Sequence, residues 1–200
     1  MIPCEAVPSH PEFTRLDTLP EIQFELRYGS PNNFTGRDLY GALDCAWLRH
    51  EAASGLRAAA QWLNVHRPGY RLLVLDALRP QRVQEQLWQE LAGTPLEEYL
   101  AHPERGSIHS FGLAVDLTLV SADGQECDMG TAFDDLSIKS HPVLDAEHLA
   151  LGMLTAKQIT ERGWLRAAMR AAGFVGINSE WWHFDFGDRD LIRRDYTRVL

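Results

Sequence analysis

The sequence lacks any unbroken apolar run of about 18 residues, so no segment reads as a membrane span. It has little cysteine. Cys4, Cys45 and Cys127 are scattered, odd in number and free of any Cys-x-x-Cys pair, which argues against a disulfide framework and a thiolate metal site. Basic charge is also short: 19 Lys and Arg stand against 28 Asp and Glu, for a formal net charge of -9. A sequence-independent nucleic-acid binder needs a basic face to displace counterions, so that class is set aside. The N-terminus has no basic start followed by an apolar stretch, and no secretory signal is expected. A reducing cytoplasm is the expected compartment, and the sequon-like Asn33-Phe34-Thr35 is discounted for the same reason. Repeats, low-complexity tracts and obvious linkers are missing too. The 200 residues are expected to form a single domain, 1–200, long enough to bury a core without staples.

What is present is a mixed pattern of helix and strand. Glu21 to Leu26 alternates polar and apolar residues, as a half-buried strand does, and Ser30-Pro31-Asn32-Asn33 follows as a turn cluster. Leu48, Ala52, Leu56, Ala59 and Leu63 recur at helical spacing and predict a helix from about Leu43 to Leu63, stopped before Pro68-Gly69. Arg71 to Leu75 reads as a central strand. Pro80 suits the first turn of a helix carrying Val83, Leu87 and Leu91 on one face. Leu113 to Leu119 is the next strand, with Asp116 on the face of Ala114 and Thr118. Ser121 to Leu154 shows little periodicity, as binding loops and lids often do. A helix through Leu165, Met169 and Ala172 follows, capped by Gly173, and the chain closes on the aromatic strand Trp181 to Phe186. Without regular βαβ alternation, the expected class is α+β, with a central, mainly antiparallel sheet and helices packed around it.

A few polar residues sit in unusual company. Asp116 lies in an otherwise apolar strand, where a carboxylate needs a partner because desolvating it alone is costly. His109, seven residues earlier, would point to the opposite face of a straight strand, but Gly112 offers a bend that could bring it round. Taken alone, these two read best as a structural hydrogen-bonded pair. Glu180 and His183 raise the odds of a metal. Three residues apart, they diverge unless the chain bends, which suits His183 as a ligand and Glu180 as a base beside the metal's water. Two imidazoles and a carboxylate are a common catalytic zinc set, and a nearby glutamate can carry the proton. The rival reading has Glu180 and His183 merely capping an aromatic core. Arg79, between a strand end and a helix start, could steady an oxyanion. Since 17 of the 19 basic residues are arginines, a single arginine is weak evidence.

Four segments resemble the zinc D-alanyl-D-alanine dipeptidases of the vancomycin-resistance type, within the wider group of D-Ala-D-Ala carboxypeptidase-like peptidases. They are Leu26-Arg27-Tyr28 through Asn33-Phe34-Thr35-Gly36, Asp76 to Pro80, Ser107 to Leu119, and Glu180-Trp181-Trp182-His183. The resemblance implies one Zn2+ held by His109, Asp116 and His183, with Glu180 as general base acting on zinc-bound water and Arg79 steadying the oxyanion. It also implies that Ser107 helps to hold the substrate carboxylate. Asp134, in Met129 to Asp134, would bind the free amino group. One departure is Leu78, where the family often has an aromatic residue.

The reaction so implied is hydrolysis of the dipeptide D-Ala-D-Ala to two D-alanines in a cleft, with no nucleic-acid or membrane partner. The alternatives are a D,D- or L,D-carboxypeptidase acting on peptidoglycan stem peptides and a non-catalytic zinc-bearing module that binds peptide. A divalent zinc with Arg79 would outweigh Asp116 and Glu180, so the centre is expected to be locally positive despite the acidic whole.

Overall fold

The structure, a computed structural model, describes residues 1–99 and 101–200. Its architecture is α+β. Strands β1 (Phe13–Arg15), β2 (Ile22–Phe24), β3 (Trp47–Arg49), β4 (Arg71–Asp76), β5 (Ala114–Val120), β6 (Phe174–Gly176) and β7 (His183–Phe186) form two sheets. β1 and β3 make a small antiparallel pair, and the main sheet runs β2-β4-β5-β7-β6. Only the β2–β4 pairing is parallel; β4–β5, β5–β7 and β6–β7 are antiparallel.

The helices are α1 (His50–His66), α2 (Gln81–Leu91), α3 (Asp145–Ala150), α4 (Ala156–Ala171) and α5 (Arg189–Asp195). α1 turns Ala52, Ala53, Gly55, Leu56, Ala59, Ala60 and Leu63 inward. At Gly55 a Cβ would come within 2.5 Å of the Phe186 ring, so this small residue lets α1 lie close on β7. α4 opens with a full capping box, in which Thr155 accepts from the Gln158 N–H and Gln158 bonds back to the Thr155 backbone, satisfying two otherwise orphaned donors. One apolar cluster joins α1, α4 and the sheet through Leu56, Leu63, Leu72, Leu117, Leu165 and Phe174.

The structure departs from the pattern reading in three places. The helix expected from Leu43 begins at His50, because Leu48 belongs to β3 and its periodic match to Ala52 was accidental. Pro80 stands at the N-cap of α2 rather than inside its first turn. The last strand begins at His183, leaving Trp181 and Trp182 in a bent approach. The segment from Ser121 to Leu154 is irregular apart from two short 3-10 turns and α3. No helix among the described residues is long and apolar enough to cross a membrane.

Candidate active site

Three neighbouring strands of the main sheet line up a row of polar residues. Asp76 on β4 is the register partner of Asp116 on β5, and Asp116 is the partner of His183 on β7. Directly opposed residues share a face of the sheet. The ladder slips between Val74 and Asp76, a bulge that re-aims the end of β4. His109 joins the row from a 3-10 turn, Ile108–Phe111, whose C-cap Gly112 is left-handed at φ 71°. A Cβ there would also approach the Phe13 ring within 2.9 Å, so this bend favours glycine twice over.

These residues bring three donor atoms to one point. His109 Nε2 lies 3.1 Å from His183 Nδ1 and 3.3 Å from Asp116 Oδ1, and His183 Nδ1 is 2.9 Å from that same oxygen. All three residues are buried, and their ligand atoms lie within 4.8 Å of one another. The far nitrogen of each ring is engaged. His109 Nδ1 donates to the Ala77 carbonyl at 2.8 Å, and His183 Nε2 meets Asp185 Oδ1 at 2.9 Å. Arg189 Nε in turn donates to Asp185 Oδ2 at 2.5 Å. Outer partners of this kind fix the tautomer and point the lone pair inward, as around metal-binding histidines. The donor set fits a divalent metal.

The charges of the cluster also favour a proton on His183. Burial alone would raise the Asp116 carboxyl, but His109 and His183 hold it far below the carboxylate range. Burial opposes charge on His183, yet Asp185 and Asp116 push its pKa up to about 10. A metal would therefore compete with a proton here.

Arg79 is buried beside the cluster. Its Nε donates to Asp76 Oδ2 at 2.8 Å, its Nη1 to Gln84 Oε1 at 3.2 Å, and its Nη2 to Asp116 Oδ2 at 3.1 Å. Tyr40 donates to the other oxygen of Asp76, and the Tyr28 ring lies 4.7 Å below the guanidinium. Leu78, the unusual neighbour, packs away from the cleft among Ile2, Val7, Phe13 and Trp47.

A cleft of about 300 Å³ opens in front of the row, lined by Arg79, Ser107, Asp134 and Glu180 among others. Glu180 is half-buried. Burial, aided by Asp116, pushes its carboxyl up to about 7 against the opposing charges of His183, Arg79 and His109. Asp134 is buried and is the one non-glycine residue with positive φ, 61°, among the described residues. Tyr28 donates to its Oδ1 at 3.1 Å, while its Oδ2 is buried with no hydrogen-bond partner. Burial holds this carboxyl well above its ordinary range. A buried, unpaired acceptor beside a cavity suits a cationic ligand group. Ser107 caps the 3-10 turn, its Oγ accepting from the His109 N–H at 3.4 Å, which leaves its hydroxyl hydrogen free to donate.

All seven expected site residues thus line or border one cleft. The pattern reading missed their support: Asp76, Asp185, Tyr28 and Tyr40. Asp185 was legible, standing two residues beyond His183 on the same strand face. The charge around the centre is more evenly divided than Asp116 and Glu180 alone suggest: Asp76, Asp185 and Asp134 add carboxylates, while Arg105, Arg189 and Arg193 line the same cleft.

The Asn33 segment proves structural. Asn33 Nδ2 lies 2.7 to 3.0 Å from the carbonyls of Arg27, Ser30 and Arg37, and its Oδ1 accepts from the Thr35 N–H and hydroxyl. This knot ties the loop that carries Tyr28 and leaves no amide free for glycosylation.

The chain is similar to known proteins. A family model described as D-ala-D-ala dipeptidase, of the Peptidase_M15 type, matches residues 11–199. The chain is 37% identical to a D-alanyl-D-alanine dipeptidase of Escherichia coli over 167 residues, covering 83% of this chain and 79% of that protein. It is 30% identical to a D-alanyl-D-alanine dipeptidase of Enterococcus faecium over 194 residues, covering 88% and 92%. A solved LdcB LD-carboxypeptidase superposes with a TM-score of 0.48 at 16% identity, over 92% of this chain and 72% of that one.

Proposed function

The chain belongs to the D-Ala-D-Ala dipeptidase family of peptidases, and from that premise we propose that it is a zinc enzyme hydrolysing free D-Ala-D-Ala, with His109, Asp116 and His183 holding the metal. The observation that carries this reading is the convergence of two imidazole nitrogens and one carboxylate oxygen, a set that suits zinc. When bound, the metal supplies Lewis acidity, polarising the scissile carbonyl and acidifying water.

The chain's own residues do the rest. Asp134 Oδ2, otherwise unpaired, takes the substrate ammonium, which selects a dipeptide over a longer or acylated peptide. Ser107 donates its hydroxyl to the substrate carboxylate. Glu180, with its carboxyl near 7, takes a proton from the attacking water and returns it to the leaving nitrogen, a task best done by a group titrating near the working pH. Arg79, held by Asp76 and Gln84, turns a fixed N–H toward the developing oxyanion. The three free thiols suit a reducing compartment such as the cytoplasm.

The test is metal analysis of the purified protein together with D-Ala-D-Ala hydrolysis before and after chelation. Zinc near one equivalent, and activity lost on chelation and restored by zinc, are expected. Glu180→Ala should keep its metal and lose nearly all turnover. Activity that survives complete metal removal would sink the reading. Equal rates on D-Ala-D-Ala and its N-acetyl form would replace the dipeptidase by a carboxypeptidase.

A further inference from the structure

The cleft has a second charged wall, which the mechanism above does not use. Arg105, Arg189 and Arg193 all line it. Arg189 and Arg193 lie four residues apart on α5, so their side chains share one face, where like charges repel. Their carboxylate partners do not balance them. Asp185 takes Arg189, while Asp190, 87% exposed, is shared at 3.7 Å from Arg193 and 3.9 Å from Arg105. Ion pairs that long and that wet contribute little.

Arg193 is the most enclosed of the three, with a side chain 16% exposed. Its Nη2 donates to the Gly106 carbonyl at 3.3 Å, which sets it against the backbone next to Ser107. Its Nε is buried with no hydrogen-bond partner. Burial first, then the charges of Arg105 and Arg189, hold its guanidinium below the usual arginine range. A buried donor without an acceptor, among repelling cations at a cavity wall, is a costly arrangement that an anion would relieve.

We propose that Arg193, with Arg105 and Arg189, forms a subsite for a carboxylate carried by the C-terminal residue of the substrate. That carboxylate is either the main-chain terminus, shared with Ser107, or an acidic side chain that extends the range of this enzyme beyond D-Ala-D-Ala. The inference rests on the dipeptidase reading.

Two matched substrate pairs test it: D-Ala-D-Ala with its C-terminal amide, and D-Ala-D-Glu with D-Ala-D-Gln. Each is assayed with zinc-loaded wild type, Arg193→Gln and Arg105→Gln. Wild type should favour the acid in the pair whose carboxylate meets this wall. The acid-to-amide ratio of kcat/KM in that pair should fall at least tenfold in Arg193→Gln and several-fold in Arg105→Gln. A fall in the first pair assigns the terminus, and a fall in the second assigns the side chain. Should both ratios stay at the wild-type value in both variants, the subsite does not exist. Arg105 is largely exposed, so its variant folds even where loss of Arg193 proves too disruptive. Failure of the underlying reading looks different: wild type would then hydrolyse none of the four.

Discussion

Replacing Arg162 by methionine tests how the fold presents Asp134. Arg162 sits on α4 with a side chain 1% exposed. Its Nε donates to the Met129 carbonyl at 2.7 Å, its Nη1 to Asp145 Oδ1 at 2.7 Å, and its Nη2 to the Lys139 carbonyl at 3.1 Å. These three bonds tie the chain on both sides of Asp134, at Met129 before it and at Lys139 and Asp145 after it, to α4. Methionine matches the stem but offers no donor, so it strands two carbonyls and a buried carboxylate. Removing one partner of a buried pair costs about 3–5 kcal/mol. Arg166 still reaches Asp145 at 3.3 Å, which places the expected loss near the lower end, about 3 kcal/mol. For a chain of this length that is a drop in Tm of roughly 6–12 °C. KM for D-Ala-D-Ala should rise as well, because the ammonium site loosens. The double variant Arg162→Met/Asp145→Leu should recover part of the Tm, since it removes the uncompensated charge, but not the KM. Thermal unfolding followed by circular dichroism, with steady-state kinetics, reads both. A loss under about 1 kcal/mol with an unchanged KM would refute the claim that Arg162 holds this segment.

Three further outcomes are expected. Asp185→Ala removes the acceptor that orients His183, and zinc affinity measured by chelator competition should fall roughly 10- to 100-fold; an unchanged affinity would count against the cluster as a metal site. Asp134→Asn keeps an oxygen for Tyr28 and tolerates positive φ. It should raise KM for D-Ala-D-Ala roughly 10- to 100-fold, the worth of a charge-assisted hydrogen bond. In chelator-treated protein it should also raise the urea midpoint at pH 7. The Asp134 carboxyl titrates above its unfolded value when folded, so its ionisation is destabilising there, and the gain should vanish as pH falls to about the unfolded pKa near 3.8. Arg67→Met breaks the fork onto buried Glu161 and should cost about 2–3 kcal/mol at pH 7, less than a fully buried pair because Arg67 is part-exposed. Arg67 holds the Glu161 carboxyl below its ordinary range, so this stabilisation is present above the unfolded pKa and is lost as pH falls through the folded one. The urea midpoints of the two proteins, well apart at pH 7, should therefore converge as the pH is lowered through the acid range.

Periodicity found what depends on neighbours along the chain. β4, β5, α2 and α4 were legible because each buries one face or the whole of a short apolar run, and Gly112 and Gly173 marked their bends correctly. The false start of α1 arose because Leu48 satisfies a helical spacing while pairing with Thr14 across β1 and β3, a contact that spans 34 positions. The same limit applied to the site. His109, Asp116, Glu180 and His183 drew notice through local oddity, and resemblance joined them. The register that sets Asp76, Asp116 and His183 in one row belongs to strand order, which no local pattern encodes. Asn33, rightly discounted as a glycosylation acceptor, is a loop knot whose partners at Arg27, Ser30 and Arg37 no motif announces.

That row also changes what Arg79 can do. Two carboxylates placed opposite each other on β4 and β5 repel, and neither Asp76 nor Asp116 is exposed to water that could screen them. Arg79 resolves this by lying between them, 2.6 Å from Asp76 and 3.1 Å from Asp116 through Nη2. A guanidinium has five N–H groups. Nε is taken by Asp76, one hydrogen of Nη1 by Gln84, and those of Nη2 by the two carboxylates. One N–H remains, on Nη1. Arg79 is thus a poor free cation for attracting substrate and a well-fixed single donor, which is the property that oxyanion stabilisation demands. Lysine there would keep the charge and lose the fork. An Arg79→Lys enzyme should therefore lose kcat far more than it loses fold, and Tyr40, through Asp76, should share in setting that donor's direction.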